Sequence, residues 1–276
     1  MKTENAALKG YKNKRKIANK RFAFVAVTDS GAGGLAILKK LKSKFKNVNF
    51  LYVSDCASVP YGNKTENQIR AFCKKNAEKA IKNGAIALVV ACNTMSRVGK
   101  SEFLKCGIPC FFVEPDFKVL NAQKNTAENC ALFCTAATAG EKEIKKSEKN
   151  GKCSVFPQKT LAKQIEKNIT KTNRNYKIDS GENLCAEKFK TVFLSCTHYI
   201  LIKSEFEKVF KNAVFYDGSE NTVVELGRFL SQFKTENNPE KQNKTKNFTQ
   251  KSLFGGRIKF IGSGKKRMKS LFLSLM

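Results

Sequence analysis

The sequence predicts an α/β protein in which parallel strands alternate with helices along the chain. Short, continuous apolar runs indicate strands buried on both faces, and segments with apolar residues at helical spacing follow them. This alternation occurs in two sets, with a break after Pro115. The composition of the 276 residues, 41% apolar and 27% charged, is typical of a globular protein that can bury an adequate core.

Each strand of the first set is an apolar run that ends in a turn of glycine or polar residues. The four runs lie at residues 22–27, 49–54, 85–91 and 110–114. The turn at 29–34 leads into a helix whose leucines are spaced for one apolar face. A second helix is expected over 66–82, and a third is expected to continue to Lys105.

The second set contains shorter strand signals, separated by segments rich in lysine and glutamate. These strands are expected at 131–134, 153–156, 191–195 and 213–216. Helices are expected over 161–169, after Tyr199, and up to about Phe233. A last strand at 257–262 and a helix over 268–276 close the chain.

These elements divide the chain into two domains and a tail. Residues 1–20 are polar and basic, and we expect a disordered tail there. The first α/β domain is expected to comprise 21–115 together with 214–276, with 234–256 as a polar linker or loop. The second α/β domain is expected to comprise 116–213.

The chain is strongly basic, with 52 lysines and arginines against 23 acidic residues and a formal net charge of +29. Such a charge attracts polyanions, so nucleic-acid binding is one alternative function. Only eight of the basic residues are arginines, and the lysines are spread over nearly every predicted helix. We therefore expect weak, salt-sensitive nucleic-acid adhesion instead of a specific complex.

Several kinds of site are excluded by what the sequence lacks. His198 is the single histidine, which excludes His-rich metal sites. Neither GxxxxGK[ST] nor GxGxxG is present, so no standard phosphate-binding loop is expected. The sequence also has no apolar stretch of about 20 residues and no signal-peptide pattern. We therefore expect a cytoplasmic protein that binds neither a metal nor a membrane.

Two strand ends share one plan: an apolar strand, a small residue, a cysteine, and two polar residues that open a helix. The two copies are VVACNT at 89–94 and FLSCTH at 193–198. Ligands bind at the carboxyl ends of strands in open α/β sheets, so each half is expected to present one thiol at its binding edge. If the two halves face each other, Cys92 and Cys196 also face each other across a cleft.

These strand ends suit stereoinversion at an acidic carbon. A thiol just before a helix N-terminus is favourably placed for the thiolate, because free N–H groups stabilise negative charge. Two opposed thiols can remove a proton from one face of Cα and return one to the other face. His198 can modulate the thiol of Cys196, and Asp29 ends the first strand at the same sheet edge as Cys92. Asp29 also fits a helix cap.

Short neutral donors near these strand ends suit the carboxylates and ammonium of an amino acid. They are Ser30, the loop amides of Tyr61 and Gly62, Asn93, Thr94 and Thr197. The glycines at 31, 33 and 34 are interpreted both as turn residues at a helix entry and as room for a substrate carboxylate.

Six motifs resemble those of glutamate racemases, in the cofactor-independent aspartate/glutamate racemase superfamily. In the family's order they are VTDSGAGGL (27–35), D-x4-PYG (55–62), VVACNT (89–94), CTAAT (134–138), LSCTHY (194–199) and YDGSENT (216–222). The resemblance implies two doubly wound parallel-sheet domains related by a pseudo-twofold axis, with the active site in the cleft between them. It also implies an isomerase that racemises glutamate without pyridoxal phosphate and supplies D-glutamate for peptidoglycan synthesis, and hence for cell-wall biogenesis and cell shape.

The same resemblance assigns site residues. Cys92 and Cys196 take the positions of the proton donor and acceptor pair, with Asp29 and His198 as further catalytic candidates. The substrate-binding positions fall on Asp29, Ser30, Pro60, Tyr61, Gly62, Asn93, Thr94, Thr135, Thr197 and His198. By resemblance, Cys92 acts on the D-enantiomer and Cys196 on the L-enantiomer. No cofactor is implied, and the oligomeric state is left open, a homodimer included.

The sequence departs from the family pattern at three positions near the site. Ser195, Ile200 and Cys134 stand where the family usually has Gly, Pro and Gly, and Glu166 is given no role. An aspartate or other amino-acid racemase of the same superfamily is one alternative, although aspartate racemases typically carry Glu at the position of His198. The alternative from another class is a polyanion-binding protein on a racemase scaffold.

The other eight cysteines are interpreted as small buried hydrophobic residues. Four of them have spacings that suggest a four-thiolate zinc site: Cys106, Cys110, Cys130 and Cys134. We disfavour that site because Cys110 and Cys134 fall inside predicted strands, away from the loops that such ligands need.

Overall fold

The computed structural model describes residues 22–122, 124–171, 176–180, 185–236 and 253–276. Its strands are β1 Phe24–Asp29, β2 Phe50–Asp55, β3 Ala85–Val90, β4 Cys110–Phe112, β5 Cys130–Thr135, β6 Ser154–Gln158, β7 Thr191–Ser195, β8 Val214–Tyr216 and β9 Ile258–Ser263. The predicted tail at 1–20 lies outside the described residues, and so does most of the predicted linker at 234–256.

The helices follow the strands in the alternation that the sequence predicts. They are α1 Gly34–Lys44, α2 Glu66–Lys82, α3 Asn93–Val98, α4 Lys100–Leu104, α5 Phe117–Leu120, α6 Ala136–Ala139, α7 Lys142–Lys149, α8 Leu161–Asn168, α9 Thr197–Ile200, α10 Lys203–Val209, α11 Ser219–Glu236 and α12 Lys265–Leu275. Single 3-10 turns lie at Tyr61–Asn63 and Ala186–Lys188. The start of α2 is fixed by a capping box, in which Thr65 and Gln68 each accept a hydrogen bond from the other's main-chain N–H.

The first sheet has five parallel strands in the order β4-β3-β1-β2-β9. Every residue of β1 and β3 is buried, as expected for parallel strands with both faces covered. The last strand, β9, pairs with β2 from Phe50 opposite Ile258 to Asp55 opposite Ser263. The end of the chain therefore returns to the first domain.

The second sheet has four parallel strands in the order β6-β5-β7-β8. If β5 to β8 are matched in chain order with β1 to β4, this is the same order as β2-β1-β3-β4 of the first sheet. The fold class predicted from the sequence, two parallel-sheet α/β domains, is confirmed. In this correspondence β3 and β7 are equivalent, and they are the two strands that precede Cys92 and Cys196.

One buried apolar cluster contains side chains of both domains, including Leu35 and Val89 from the first and Phe133 and Leu194 from the second. The domains therefore pack against each other through a shared core. A smaller cluster that includes Leu132 lies within the second domain.

The predicted helix that ends at Lys105 is two helices, because α3 and α4 meet at Gly99. A Cβ atom on Gly99 would lie 2.2 Å from the Cys73 Sγ of α2, so only glycine permits this close approach. The sequence pattern does not contain this contact between distant helices.

The domain division stays a proposal, and one observation bears on its second boundary. The predicted boundary places 214–216 in the first domain, but Val214–Tyr216 is β8 and pairs with β7 of the second sheet. Directly after it, Asp217 and Ser219 accept hydrogen bonds from Lys40 of α1. We therefore propose that the chain crosses back to the first domain after Tyr216.

Candidate active site

The carboxyl ends of strands from both sheets meet at a cleft with about 310 Å³ of empty space. From the first domain it is lined by Ser30, Pro60, Tyr61, Gly62, Cys92, Asn93 and Thr94. From the second domain it is lined by Thr135, Ala162, Ser195, Cys196, Thr197 and His198. Every site residue predicted from the sequence except Asp29 thus lies in this lining, and Ala162 and Ser195 are additional.

Cys92 lies at the start of α3, directly after the buried strand β3, and 8% of it is exposed. Its Sγ accepts a hydrogen bond from Ser30 Oγ at 3.8 Å. Burial raises the pKa of the Cys92 thiol to about 12, with the charge of Asp29 acting in the same direction. The sequence-based expectation of a thiolate favoured by the helix start is therefore wrong for Cys92. Burial and the nearby carboxylate outweigh the main-chain N–H groups.

Cys196 lies in the equivalent place before α9 and is 7% exposed. Its Sγ is 3.9 Å from Nδ1 of His198, so the imidazole lies beside the sulfur that it is predicted to modulate. His198 is itself buried, and its Nε2 lies 2.8 Å from Oε2 of Glu166. One ring nitrogen therefore faces the thiol and the other faces a carboxylate.

His198 and Glu166 form a buried ion pair. Burial lowers the pKa of His198, but the hydrogen bonds and charges of Cys196 and Glu166 raise it well above its usual value. Burial raises the pKa of Glu166, but His198, the main-chain N–H of Ala32 and Arg267 together bring it below its usual value. The imidazole is therefore held as the cation and the carboxyl as the anion.

Glu166 and Arg267 are parts of the site that the sequence reasoning did not assign. Glu166 lies on α8, and Nη1 of Arg267, from α12, is 3.0 Å from its Oε1. A signal for Glu166 existed, because it lies four residues after Ala162 and three before Ile169, on the apolar face of the predicted helix. The sequence carries no comparable signal for Arg267, which lies 101 residues away.

Asp29 lies behind the wall of the cleft and is fully buried. Its Oδ1 accepts a hydrogen bond from Gly31 N at 2.9 Å, and its Oδ2 accepts one from Thr197 Oγ1 at 3.0 Å. Burial raises the pKa of Asp29, although His198 acts in the opposite direction. Each carboxylate oxygen has a further lone pair that could accept a hydrogen bond from substrate. The predicted role of Asp29 toward substrate stays a prediction.

The glycine-rich turn brings the two domains into contact. A Cβ on Gly33 would lie 2.3 Å from Thr197 Oγ1 and 2.7 Å from His198 N, and a Cβ on Gly31 would lie 2.6 Å from Glu166 Oε2. The predicted room for a substrate carboxylate at these glycines is therefore occupied by the second domain. Their small size allows the two walls of the cleft, one from each domain, to approach each other closely.

The polar groups of the cleft differ in how far they are already paired. Asn93 is buried, and neither its Oδ1 nor its Nδ2 has a hydrogen-bond partner among the described residues. The hydroxyl of Tyr61 donates to Oδ2 of Asp55 at 2.9 Å and accepts from Asn76 Nδ2 at 3.3 Å. The hydroxyl of Tyr61 is therefore already paired within the first domain, while Pro60, Tyr61 and Gly62 line the cleft.

The remaining cysteines are free thiols. Cys106 and Cys110 contact each other, with 3.6 Å between their sulfurs, while Cys130 and Cys134 lie in strand β5 of the other sheet. No group of three or more metal-ligating side chains occurs within the described part of the chain. The interpretation as buried residues fails for Cys185, which is exposed, and Cys56, Cys106 and Cys110 are partly exposed.

No protein-family model matches the sequence. The chain is 32% identical over 231 residues to the glutamate racemase of Clostridium botulinum (strain Alaska E43 / Type E3), and the match covers 78% of this chain and 86% of that relative. The chain belongs to the glutamate racemase family. This membership confirms the resemblance found in the six motifs, and it assigns the protein to the isomerases that act as amino-acid racemases.

Solved glutamate racemases have the same fold. The enzyme of Francisella tularensis in complex with D-glutamate is 23% identical and has a TM-score of 0.63, with 92% of this chain and 95% of that chain covered. The Escherichia coli enzyme, in complex with L-glutamate and the activator UDP-MurNAc-ala, is 18% identical with a TM-score of 0.67, and 87% and 98% are covered. In the described part of this family member, no helix has the length and apolar character needed to cross a membrane.

Proposed function

We propose that this member of the glutamate racemase family interconverts L- and D-glutamate by moving the Cα proton through two thiols. The observation that carries the proposal is that Cys92 and Cys196 line one cleft from two different sheets. A substrate with its Cα between the two sulfurs exposes one face to each. One thiolate removes the proton, Cα becomes planar, and the other thiol delivers a proton to the opposite face.

The resting protonation state of Cys92 suits one of its two roles. Because burial raises its pKa to about 12, Cys92 rests as a thiol and is ready to donate a proton. The complementary role, proton removal, then falls to Cys196, which by family resemblance acts on L-glutamate. After that turnover Cys92 is the thiolate and Cys196 the thiol, which is the state that D-glutamate requires.

The His198–Glu166 pair supports the base on the Cys196 side. A protonated imidazole 3.9 Å from Sγ is electrostatically complementary to a sulfur that carries negative charge. Glu166 holds the ring through Nε2, so Nδ1 stays directed at the sulfur. His198 is therefore proposed to act directly beside the reacting sulfur, with Glu166 as its positioning residue.

Substrate binding is proposed to complete the unpaired groups of the cleft. Asn93 is buried with a free amide donor and a free amide acceptor, and an unpaired buried amide is costly. The α-carboxylate and ammonium of an amino acid supply the matching partners. The hydroxyls of Thr94 and Thr135, together with the N–H groups of the turn that follows Pro60, are proposed to bind the remaining carboxylate oxygens. The hydroxyls of Ser30 and Thr197 already donate to Cys92 and Asp29, so each would have to exchange that bond for one to the substrate.

We propose glutamate instead of aspartate as the preferred substrate. The relatives from Francisella tularensis and Escherichia coli were solved with D-glutamate and L-glutamate, which supports glutamate as the ligand of this cleft. Side-chain length distinguishes the two substrates, because the side-chain carboxylate of glutamate lies one methylene further from Cα than that of aspartate. Gly62 and Thr197 must contact the carboxylate at that longer distance. Turnover of aspartate at a comparable rate would favour the alternative within the superfamily.

The cellular role is proposed from the family. A racemase of this kind supplies D-glutamate for peptidoglycan synthesis, and we propose that this protein does so in the cytoplasm. Two thiols provide both the acid and the base, so we propose that no metal or pyridoxal phosphate takes part.

The decisive experiment follows the optical activity of glutamate. Circular dichroism of L-glutamate should decay to zero ellipticity in the presence of chelator-treated, cofactor-free protein, and the same should hold from D-glutamate. Persistent ellipticity with correctly folded protein would contradict the proposal. If activity appears only after a metal or pyridoxal phosphate is added, the two-thiol mechanism is wrong.

The formal charge of +29 favours a second candidate function, binding of a polyanion. We expect DNA and RNA to bind weakly, without sequence preference, and to dissociate at physiological salt. Deletion of residues 1–20, which carry seven basic residues, should remove most of that binding. Sequence-selective binding that survives high salt would promote this function above the enzymatic one.

A further inference from the structure

Arg267 reaches the Cys196 wall from an element distant in sequence. It lies in the first turn of α12, and its Nη1 donates to Glu166 Oε1 at 3.0 Å while its Nη2 donates to the main-chain carbonyl of Glu166. The other carboxylate oxygen, Oε2, faces Nε2 of His198 at 2.8 Å and accepts from Ala32 N at 2.9 Å. The two oxygens of Glu166 therefore have different partners.

We propose that Arg267 is a positioning residue for the half of the reaction that uses Cys196. It fixes the Glu166 carboxylate, Glu166 orients His198, and the imidazole faces the sulfur. This inference rests on the proposed function and adds to it a residue of the C-terminal helix.

The geometry of the guanidinium explains why an arginine suits this place. Its planar fork binds the side chain and the main chain of Glu166 together, so it fixes both the carboxylate plane and the position of α8 relative to α12. Glu166 is 7% exposed and His198 is 2% exposed, whereas the Arg267 side chain is 37% exposed. Arg267 is therefore the solvent-exposed end of the series of charged side chains Arg267, Glu166 and His198. Without it, Oε1 loses its charged donor, and the carboxylate is held through Oε2 alone.

The effect of Arg267 should be confined to one thiol. Three successive side-chain contacts lead from Arg267 to Cys196. They are Arg267 to Glu166 at 3.0 Å, Glu166 to His198 at 2.8 Å and His198 to Cys196 at 3.9 Å. The hydroxyl that contacts Cys92 belongs to Ser30, on the turn after β1. That turn meets Glu166 through Ala32 N at Oε2, which is the carboxylate oxygen that Arg267 does not contact. A loss that appears in one half-reaction only is thus the signature of a positioning role, because general loosening of the fold would affect both.

Racemisation rates cannot reveal this signature. The two enantiomers have equal free energy, so kcat/KM in the two directions must change by the same factor in any variant. Elimination from β-chloroglutamate avoids this constraint, because one thiolate removes the Cα proton, the Cβ–Cl bond breaks, and chloride leaves irreversibly. The resulting enamine hydrolyses to a 2-oxo acid and ammonium, which can be measured for each enantiomer separately.

The test compares Arg267→Met, Arg267→Lys and a matched control, Arg97→Met. Arg97 also forms an ion pair between the domains, with Glu141 at 3.0 Å, but it does not belong to the His198 chain. Arg267→Met should reduce the elimination that is lost in Cys196→Ser by about tenfold, which is about 1.4 kcal/mol of transition-state stabilisation. Arg267→Lys keeps the charge and should recover part of this loss. Arg97→Met should not reproduce a loss confined to the Cys196 elimination, because Arg97 lies on α3, the helix that follows Cys92.

A double-variant cycle identifies the route of the effect. If Arg267 acts through Glu166, Arg267→Met should cause no further loss in a protein that already carries Glu166→Gln. Equal loss of both eliminations in Arg267→Met, or an undiminished further loss in the Glu166→Gln background, would overturn the inference. Failure of the proposed function itself is distinguishable, because the unsubstituted protein would then show neither racemisation nor elimination.

Discussion

Cys92 follows β3 and Cys196 follows β7, strands that occupy equivalent positions in two sheets of the same order, yet different groups lie behind the two sulfurs. Cys92 contacts the Ser30 hydroxyl and lies near the Asp29 carboxylate, so its neighbourhood is neutral or negative. Cys196 lies beside an imidazole held as a cation. The repeated topology places the two thiols, and side chains from elsewhere in the chain determine the charge beside each sulfur.

The largest effect should come from removing either thiol. Cys92→Ser or Cys196→Ser retains the size and hydrogen bonding of the side chain but replaces a thiol by a much weaker acid. Positioned acid-base groups contribute about 10²–10⁴-fold, so racemisation should fall by that order. Circular dichroism with L-glutamate measures the rate, and Cys185→Ser, an exposed thiol, is the control that should keep full activity. Retained activity in Cys92→Ser or Cys196→Ser would remove that cysteine from the mechanism.

A substitution at the contact between the two walls should have the next largest effect. A Cβ on Gly33 would lie 2.7 Å from the main-chain N of His198, so Gly33→Ala must push the two walls apart. A displacement of about 1 Å can cost about 10²-fold in rate, and we expect a loss of that order in racemisation together with a lower Tm.

Gly227→Ala is the matched control for this prediction. Gly227 lies within α11, and a Cβ there would be 3.5 Å from Phe45 Cζ, which is an ordinary contact. Alanine also stabilises a helix relative to glycine, so activity should be unchanged and Tm equal or higher. Unchanged activity in Gly33→Ala would show that the close approach of the two walls is not required.

Removing the charge of His198 should affect the reaction of Cys196 much more than the reaction of Cys92. In His198→Gln the amide can still donate a hydrogen bond to Glu166, but it never becomes a cation. Elimination from the β-chloroglutamate enantiomer that depends on Cys196 should fall at least about tenfold, which is about 1.4 kcal/mol. Elimination from the enantiomer that depends on Cys92 should change far less. Equal losses would mean that the imidazole serves both thiols.

The smallest effect concerns stability as a function of pH. The raised pKa of His198 stabilises the folded state below its unfolded value of 6.5, and this stabilisation is lost as the pH rises through the raised pKa. The lowered pKa of Glu166 stabilises the folded state above its unfolded value of 4.5, and this is lost as the pH falls through the lowered pKa.

Denaturant unfolding across this pH range tests the ion pair. The free energy of unfolding of the unsubstituted protein minus that of His198→Gln should be greatest between pH 4.5 and 6.5 and should shrink on either side, by an amount on the order of 1 kcal/mol. Asp29 does not cancel in this difference, because His198 lowers the pKa of Asp29 only in the unsubstituted protein; this adds to the loss of the difference at acidic pH. A difference that stays constant with pH would show that the pair is not ionised as described.

The sequence was sufficient for those features that depend on local pattern. The strand runs, the glycine-rich turn after β1 and the cysteine plan at 89–94 and 193–198 all appear where the pattern predicts them. A buried parallel strand needs a continuous apolar run, and a strand end that binds ligand needs small and polar residues. These requirements are visible one segment at a time.

Features that depend on distant contacts could not be predicted. The break at Gly99 depends on Cys73 of another helix, and the partner of Glu166 is supplied by α12. The pKa of Cys92 depends on the burial of its thiol and on the Asp29 carboxylate, which outweigh the local helix start. No local pattern contains these distances, which become fixed only when the two domains pack together.

The central claim, that each thiol serves one face of Cα, is tested most directly by elimination from the separate enantiomers of β-chloroglutamate. Each elimination needs a single deprotonation, so Cys92→Ser should retain elimination from one enantiomer and lose it from the other, and Cys196→Ser should show the opposite pattern. By family resemblance, Cys92→Ser should lose the reaction of the D-enantiomer. If both variants lose both eliminations to the same extent, the two thiols do not act on opposite faces, and the account given for this cleft is wrong.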